Sequence, residues 1–186
     1  MRRDVTVVIP TIQPRYGMLM RAVESVSTQM QQPTALNVSW DTDRRGAAVT
    51  RQAGLDRVQT HWTAFLDDDD WWYPEHLGIL LNLAEETGAD YLWSWFSGND
   101  PFPTHRGRQM DVNDPHHTTM NVVVKTELAR AVGFRPHPDA NEIWPGEDWN
   151  FLLGCIAQGA QFAHTPLITW HYSVHGGNTS GLPSRW

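Results

Sequence analysis

Apolar positions along this chain alternate between short β-branched runs and 3.6-residue stripes. Val5 to Pro10 reads as a buried strand stopped by proline. Leu19, Ala22, Val23, Val26 and Met30 then form a helical stripe, which predicts a helix over 18–30. Ala35 to Trp40 is a second strand, Gly46 to Val58 a second helix, and Thr60 to Leu66 a third strand. This βαβαβ order predicts a parallel, doubly wound sheet with right-handed crossovers. Pro74 opens a helix to about Glu86, closed by Gly88, and Asp90 to Phe96 returns to strand. Residues 97–117 carry little periodicity and read as a functional loop. Beyond them the pattern gives a strand over 118–124, a short helix over 127–132, a striped helix over 147–158 and a last strand over 162–170. No repeat or heptad interrupts the series.

Composition narrows the class. The 186 residues fit one domain, 40% of them hydrophobic and 19% charged, as in soluble globular proteins. No apolar run approaches the roughly 18 residues of a membrane span, and no secretory signal is visible. A single cysteine, Cys155, excludes an internal disulfide and a multi-cysteine zinc site, so a cytoplasmic location is the expectation. The net charge of −7 disfavours nucleic acid and anionic membranes as partners. Most of the ten tryptophans are expected in the core.

The candidate chemistry gathers at element ends. Four consecutive aspartates, Asp67 to Asp70, follow the third strand. Adjacent carboxylates beside a buried strand end repel one another unless a cation or a dense set of donors offsets them. Hard oxygen ligands suit Mg²⁺ or Mn²⁺ shared with substrate phosphates, although a solvated acidic loop or a helix N-terminus would carry the same residues. Asp41 and Asp43 follow the second strand, and a parallel sheet delivers them to the same edge. Glu147 and Asp148 open a helix, where acids also serve as dipole partners.

The ordered motifs resemble a family 2 glycosyltransferase of the GT-A fold. They are Val7-Val8-Ile9-Pro10-Thr11, Gly46 with Arg51-Gln52-Ala53-Gly54, Phe65-Leu66-Asp67-Asp68-Asp69-Asp70 with Trp72 and Pro74, Val124-Lys125-Thr126-Glu127-Leu128, Val132-Gly133-Phe134, Gly146-Glu147-Asp148-Trp149 and His175-Gly176-Gly177-Asn178-Thr179-Ser180. The resemblance spans nearly the whole chain. It implies a Rossmann-type three-layer α/β sandwich, a mostly parallel central sheet with helices on both faces, whose residues 1–92 bind a nucleotide-sugar and whose residues 93–186 face the acceptor and end in a closing tail.

It also implies roles. Asp67 begins a DxD motif, Asp68 lies near the ribose, and Asp69 binds a divalent cation, Mn²⁺ or Mg²⁺, that bridges the donor diphosphate. Pro10, Thr11, Asp41, Asp43 and Arg51 belong to the nucleotide pocket, whereas Gln52 replaces the family's asparagine and is not assigned there. Asp148, with Glu147 beside it, matches the general base of inverting members. His175 matches a metal or diphosphate contact, with His171 as its competitor. Relatives carry arginine where this chain has Ser173. Asp70 is expected to cap the helix near Pro74. Trp93, Trp95, His117 and Trp149 are expected contacts to acceptor or sugar.

The expected activity is metal-dependent, inverting transfer from a nucleotide-diphosphate sugar, UDP-linked as in most of the family, to a hydroxyl of a soluble acceptor. Two other readings stay open: a nucleotidyltransferase that makes a sugar nucleotide, and a non-catalytic sugar-binding protein of the same fold.

Overall fold

The computed structural model describes residues 2–98, 106–115, 120–135, 146–173 and 175. Among them, seven strands form one sheet: β1 (Val5–Thr11), β2 (Ala35–Trp40), β3 (Trp62–Phe65), β4 (Trp71–Trp72), β5 (Tyr91–Gly98), β6 (Val122–Lys125) and β7 (Phe162–Tyr172), in the spatial order β2-β1-β3-β6-β5-β7-β4. The helices are α1 (Tyr16–Ser27), α2 (Ala47–Leu55), α3 (His76–Thr87), α4 (Thr126–Val132) and α5 (Glu147–Ala157), with a short 3₁₀ turn at Gln13–Arg15.

β1, β2 and β3 pair in parallel, as their βαβαβ order requires. β6 then enters antiparallel to both β3 and β5, β7 runs parallel to β5, and β4 closes the edge antiparallel to β7. Thus β1, β2, β3, β5 and β7 point one way and only β6 and β4 point the other, giving the mostly parallel sheet.

Pleating distributes the core to both faces. Val5, Val7 and Ile9 of β1 pack with Leu19, Ala22 and Val26 of α1 and with Leu77, Leu80 and Leu81 of α3. Val8, one residue out of phase, packs with Leu55 of α2, Ala129 of α4 and Phe151 and Leu152 of α5. The sandwich follows from this alternation. α2 comes so close to β1 that a Cβ on Gly54 would lie 2.4 Å from Val8 Cγ1, which explains a glycine inside a helix.

Several expected boundaries move. α1 starts at Tyr16 and ends at Ser27, leaving Met30 76% exposed instead of closing the stripe. Pro74 lies outside α3, and the two-residue strand β4 precedes it. β6 spans Val122–Lys125, residues 118 and 119 of the expected strand lying outside the described residues, while β7 runs on to Tyr172.

Trp93 and Trp95 correct an expectation. Both are core, 4% and 1% exposed, and are not available to an acceptor. Residues two apart on a strand share a face, but β5 changes register against β7 on either side of Trp95. Trp93 therefore packs in the α5-side core and stacks on His164 at 5.1 Å, whereas Trp95 packs in the α1/α3-side core against Phe96. Trp149 is half-buried and packs against the α5-side core, and His117 lies outside the described residues.

Candidate active site

The ends of β1, β2 and β3 and the start of α5 meet around the aspartates. Here the protein supplies its own cations. Arg51, projecting from α2 and 5% exposed, reaches Asp67 with Nη2 and Glu147 Oε1 with Nη1 at 2.6 Å. Burial alone would lower the pKa of this guanidinium, but Asp67 and Glu147 reverse that and raise it. Its Nε is buried without a hydrogen-bond partner. One side chain thus ties the acidic stretch to the first turn of α5, which lies 96 residues beyond Arg51 in sequence.

Arg15 serves the next two carboxylates. Its Nη1 donates to Asp68 Oδ1 at 2.9 Å and to Asp69 Oδ2 at 3.4 Å. Thr11, at the end of β1, donates to Asp68 Oδ2 at 2.7 Å. Asp68 and Asp69 are 2% and 8% exposed. Burial pushes the Asp68 carboxyl up to about 6, and burial, then the Asp67 charge, also raises Asp69.

His175 Nε2 lies 3.0 Å from Asp69 Oδ2. His171 is elsewhere: it stacks on Trp71 at 3.8 Å and its Nδ1 contacts Ser97 Oγ at 2.9 Å. Arg21 covers the same tryptophan at 4.0 Å and donates to the Asp69 carbonyl at 3.0 Å and to Ser173 Oγ at 3.4 Å. A guanidinium from α1 therefore occupies the neighbourhood where Ser173 provides no charge.

Asp70 is not a helix cap. It is 1% exposed, accepts from Asn121 Nδ2 at 2.8 Å and from the Ser173 amide at 2.9 Å, and its carboxyl is held well above the ordinary range by burial. The N-cap residue of α3, Glu75, makes no capping hydrogen bond, and Gln29 Oε1 accepts from the Leu77 amide of its first turn at 3.0 Å.

Asp41 lines a cleft of about 790 Å³ with Ile12, Gln13, Arg15, Trp40 and His175. Its two carboxylate oxygens accept from the amides of Arg45 and Gly46 at 2.8 and 2.7 Å, so it shapes the loop into α2 as well as facing the cleft. Asp43 is exposed, and Pro10 is buried within β1 opposite Ser39.

Asp148 follows Glu147 in the first turn of α5, where the helix N-terminus favours acids. Burial raises its carboxyl pKa, Arg51 opposes that and Asp67 adds to it, so the three groups share one field. Gly146 precedes them closely: a Cβ there would lie 2.9 Å from Asp148 Oδ1 and would displace that carboxylate.

The profile of glycosyl transferase family 2 matches residues 20–135. The chain belongs to that family. Among curated relatives, the succinoglycan biosynthesis protein ExoW of Rhizobium meliloti (strain 1021) is 32% identical, over 55% of this chain and 41% of the relative. The chain thus spans less than half of that protein. S. aureus TarS 1-349 in complex with UDP-GlcNAc superposes with a TM-score of 0.78 at 15% identity, covering 95% of this chain and 60% of TarS 1-349. The mannosyltransferase PcManGT of Pyrobaculum calidifontis, in complex with GDP-Man and Mn²⁺, gives 0.71 at 16% identity, covering 95% and 58%. The fold is therefore that of GT-A glycosyltransferases, and the family's activity is glycosyl transfer.

For this family 2 member the sequence reading missed Arg15, Arg21 and Asn121. Arg15 carried a faint signal, a lone cation shortly after the first strand of an acidic chain. Asn121 carried none.

Proposed function

We propose that this family 2 glycosyltransferase moves a sugar from a nucleotide-diphosphate sugar to a hydroxyl acceptor by a metal-dependent, inverting displacement, with Asp148 as general base. The observation that carries this reading is the Arg51 fork, which brings the acidic stretch and the Glu147-Asp148 turn into one site. UDP is the expected nucleotide, in keeping with the UDP-GlcNAc complex of TarS, and the GDP-Man complex of PcManGT makes GDP the alternative to assay beside it. Residues 1–92 hold the nucleotide and residues 93–186 the acceptor side, with a soluble hydroxyl compound as acceptor.

Asp69 Oδ2 and His175 Nε2 fit a divalent cation. They converge to 3.0 Å, and among the described residues no group of three or more acidic, histidine or cysteine side chains gathers as a metal cluster. A two-ligand set leaves positions for diphosphate oxygens and water, and an imidazole nitrogen favours Mn²⁺ over Mg²⁺. When bound, the ion supplies charge stabilisation for the departing nucleoside diphosphate.

The chain's own residues do the rest. Thr11 and Arg15 fix Asp68, Arg51 fixes Asp67 and holds α5 in place through Glu147, and the cleft lined by Trp40 and Asp41 receives the nucleoside. Asp148 accepts the proton from the acceptor hydroxyl as that oxygen attacks the anomeric carbon and the bond to the diphosphate breaks. A single displacement inverts the centre.

Donor turnover and binding should be measured together for wild type, Asp69→Ala and Asp148→Asn. Asp69→Ala is expected to lose Mn²⁺-dependent donor binding, and Asp148→Asn to bind donor normally and lose transfer. Full Mn²⁺-dependent transfer by both variants would overturn the assignments. Donor binding by wild type without hydrolysis or transfer would instead indicate a sugar-nucleotide-binding protein.

A further inference from the structure

We propose that Arg21, reaching in from α1, is the clamp for the outer phosphate of the donor diphosphate. This rests on the nucleotide-sugar reading above. Arg15 and Arg51 each pair with two carboxylates of the site, whereas no carboxylate among the described residues pairs with Arg21, whose side chain is exposed. Its charge is not neutralised within the protein. The guanidinium is nevertheless held in place: Nη2 donates to the Asp69 carbonyl at 3.0 Å and to Ser173 Oγ at 3.4 Å, and the group lies 4.0 Å over the Trp71 ring, on which His171 also stacks. A guanidinium laid on an indole keeps its in-plane N–H groups available to a further acceptor.

The position of Arg21 selects the ligand. Strand ends run β2, β1, β3 across the sheet, so the cleft passes from Trp40 and Asp41 after β2, past Arg15 after β1, to His175, which touches Asp69 after β3. Arg21 comes next. It bonds the backbone of Asp69 itself, and it follows Met18, a residue of the cleft wall, by three positions on α1 and so shares its face. A nucleoside diphosphate with its base at Trp40 and Asp41 therefore meets Asp69 and Arg21 with its outer phosphate. Phosphate oxygens match the planar guanidinium fork, and a cation without a carboxylate partner has no ion pair to break when they arrive. As the bond between the anomeric carbon and the outer phosphate oxygen breaks, its electron pair stays on that oxygen, and Arg21 faces the growing charge.

The test is calorimetric binding of UDP and UMP and, in parallel, GDP and GMP, with Mn²⁺ present, to wild type, Arg21→Gln and Arg21→Met. The monophosphates keep the base and the inner phosphate and lack the outer one, so the ratio of diphosphate to monophosphate affinity isolates the clamp. Wild type is expected to favour the diphosphate. Arg21→Gln should lose roughly tenfold or more in diphosphate affinity, the usual contribution of a hydrogen bond to a charged group, and keep its monophosphate affinity within about twofold. Arg21→Met keeps an apolar stem over Trp71 and should match it; it is read in place of Arg21→Gln if the latter does not fold.

A wild-type ratio in both variants, with wild type favouring the diphosphate, would overturn the clamp and leave the donor reading standing. Equal loss of diphosphate and monophosphate binding would make Arg21 a brace of the cleft wall and overturn the clamp as well. A wild type that binds none of the four nucleotides, or favours neither diphosphate, would overturn the donor reading, and the clamp with it.

Discussion

Asp69 and Asp70 are neighbours in sequence and belong to different parts of the molecule. Asp69 is touched by Arg15 and His175, both of which line the cleft. Asp70 points the other way into a sealed polar seam, in which Asn121 holds Asp70 with its amide nitrogen and takes the Trp72 Nε1 hydrogen on its oxygen at 3.1 Å. Nearby in the same interior, His76 stacks on Trp72 at 4.4 Å and its Nδ1 lies 2.6 Å from Thr169 Oγ1. The carboxylates of Asp67 to Asp69 are offset by the guanidinium cations of Arg51 and Arg15. The seam is satisfied by neutral partners fixed in the core. An acidic run can therefore sit among cations beside a cleft at one residue and be architectural at the next, and local charge density does not separate the two.

The largest effect should come from the cleft side. Asp148→Asn is expected to lower turnover roughly 10²- to 10⁴-fold, the usual contribution of a general base, while KM for the donor changes little. In wild type the base is active as the carboxylate, so turnover falls as pH drops through its pKa. Burial raises that pKa, so the acid limb of the turnover profile should lie above the ordinary aspartate range of about 3.9. A limb within the ordinary range would remove Asp148 from the role.

Next is the seam. Asn121→Leu keeps the volume and strips Asp70 and the Trp72 indole of their partner, which should cost roughly 2–4 kcal/mol in urea unfolding. Mn²⁺ binding should stay within about twofold, since separate sites behave independently. Loss of Mn²⁺ binding without loss of stability would place Asp70 on the cleft side and break the comparison.

His76 sharpens it through pH. Burial lowers its pKa to about 3, so the native protein excludes a proton that the unfolded chain takes up below about 6.5. Stability from this group is fully present above that value and is lost as pH falls towards 3. Between pH 7 and pH 5 the loss is about 2 kcal/mol. Asp68, raised to about 6, works with the opposite sign, gaining stability over the same fall, so the two must be separated. The stability gap between wild type and His76→Gln should narrow by about 2 kcal/mol from pH 7 to pH 5. An unchanged gap would mean that His76 is not the sealed group described.

The pattern that predicted β1, β2, β3 and the helices between them is local, and it worked where each strand is buried on both faces and each helix has one stripe. β4 has two residues, too few for any period, and exists because Trp71 and Trp72 pair with His171 and Trp170. The direction of β6 is set by sheet topology, which no local pattern records. The tryptophan pair of β5 was misread because a change of register turns Trp95 to the opposite face. At the site, the acidic clusters were visible as residue types at strand ends, and their convergence followed from parallel topology. Their partners were not, because Asp70 is satisfied by residues 51 and 103 positions away.

Gln52 offers the smallest and most selective test. It neighbours Arg51 in sequence but turns away from the carboxylates: its Oε1 accepts from the Phe134 amide at 2.7 Å and its Nε2 donates to Asp56 at 2.7 Å. It therefore braces the chain just past α4, where Gly133 adopts φ +67° and Phe134 stacks on Phe151 at 4.4 Å. Gln52→Ala removes one backbone partner and one surface contact and should cost about 1 kcal/mol in urea unfolding. Donor KM and turnover should stay at wild-type values, because Arg51 keeps both of its carboxylates. A variant that held its stability but bound UDP or GDP several-fold more weakly would move Gln52 into the nucleotide pocket, and the separation between residues that touch the cleft and residues that brace it would fail at this position.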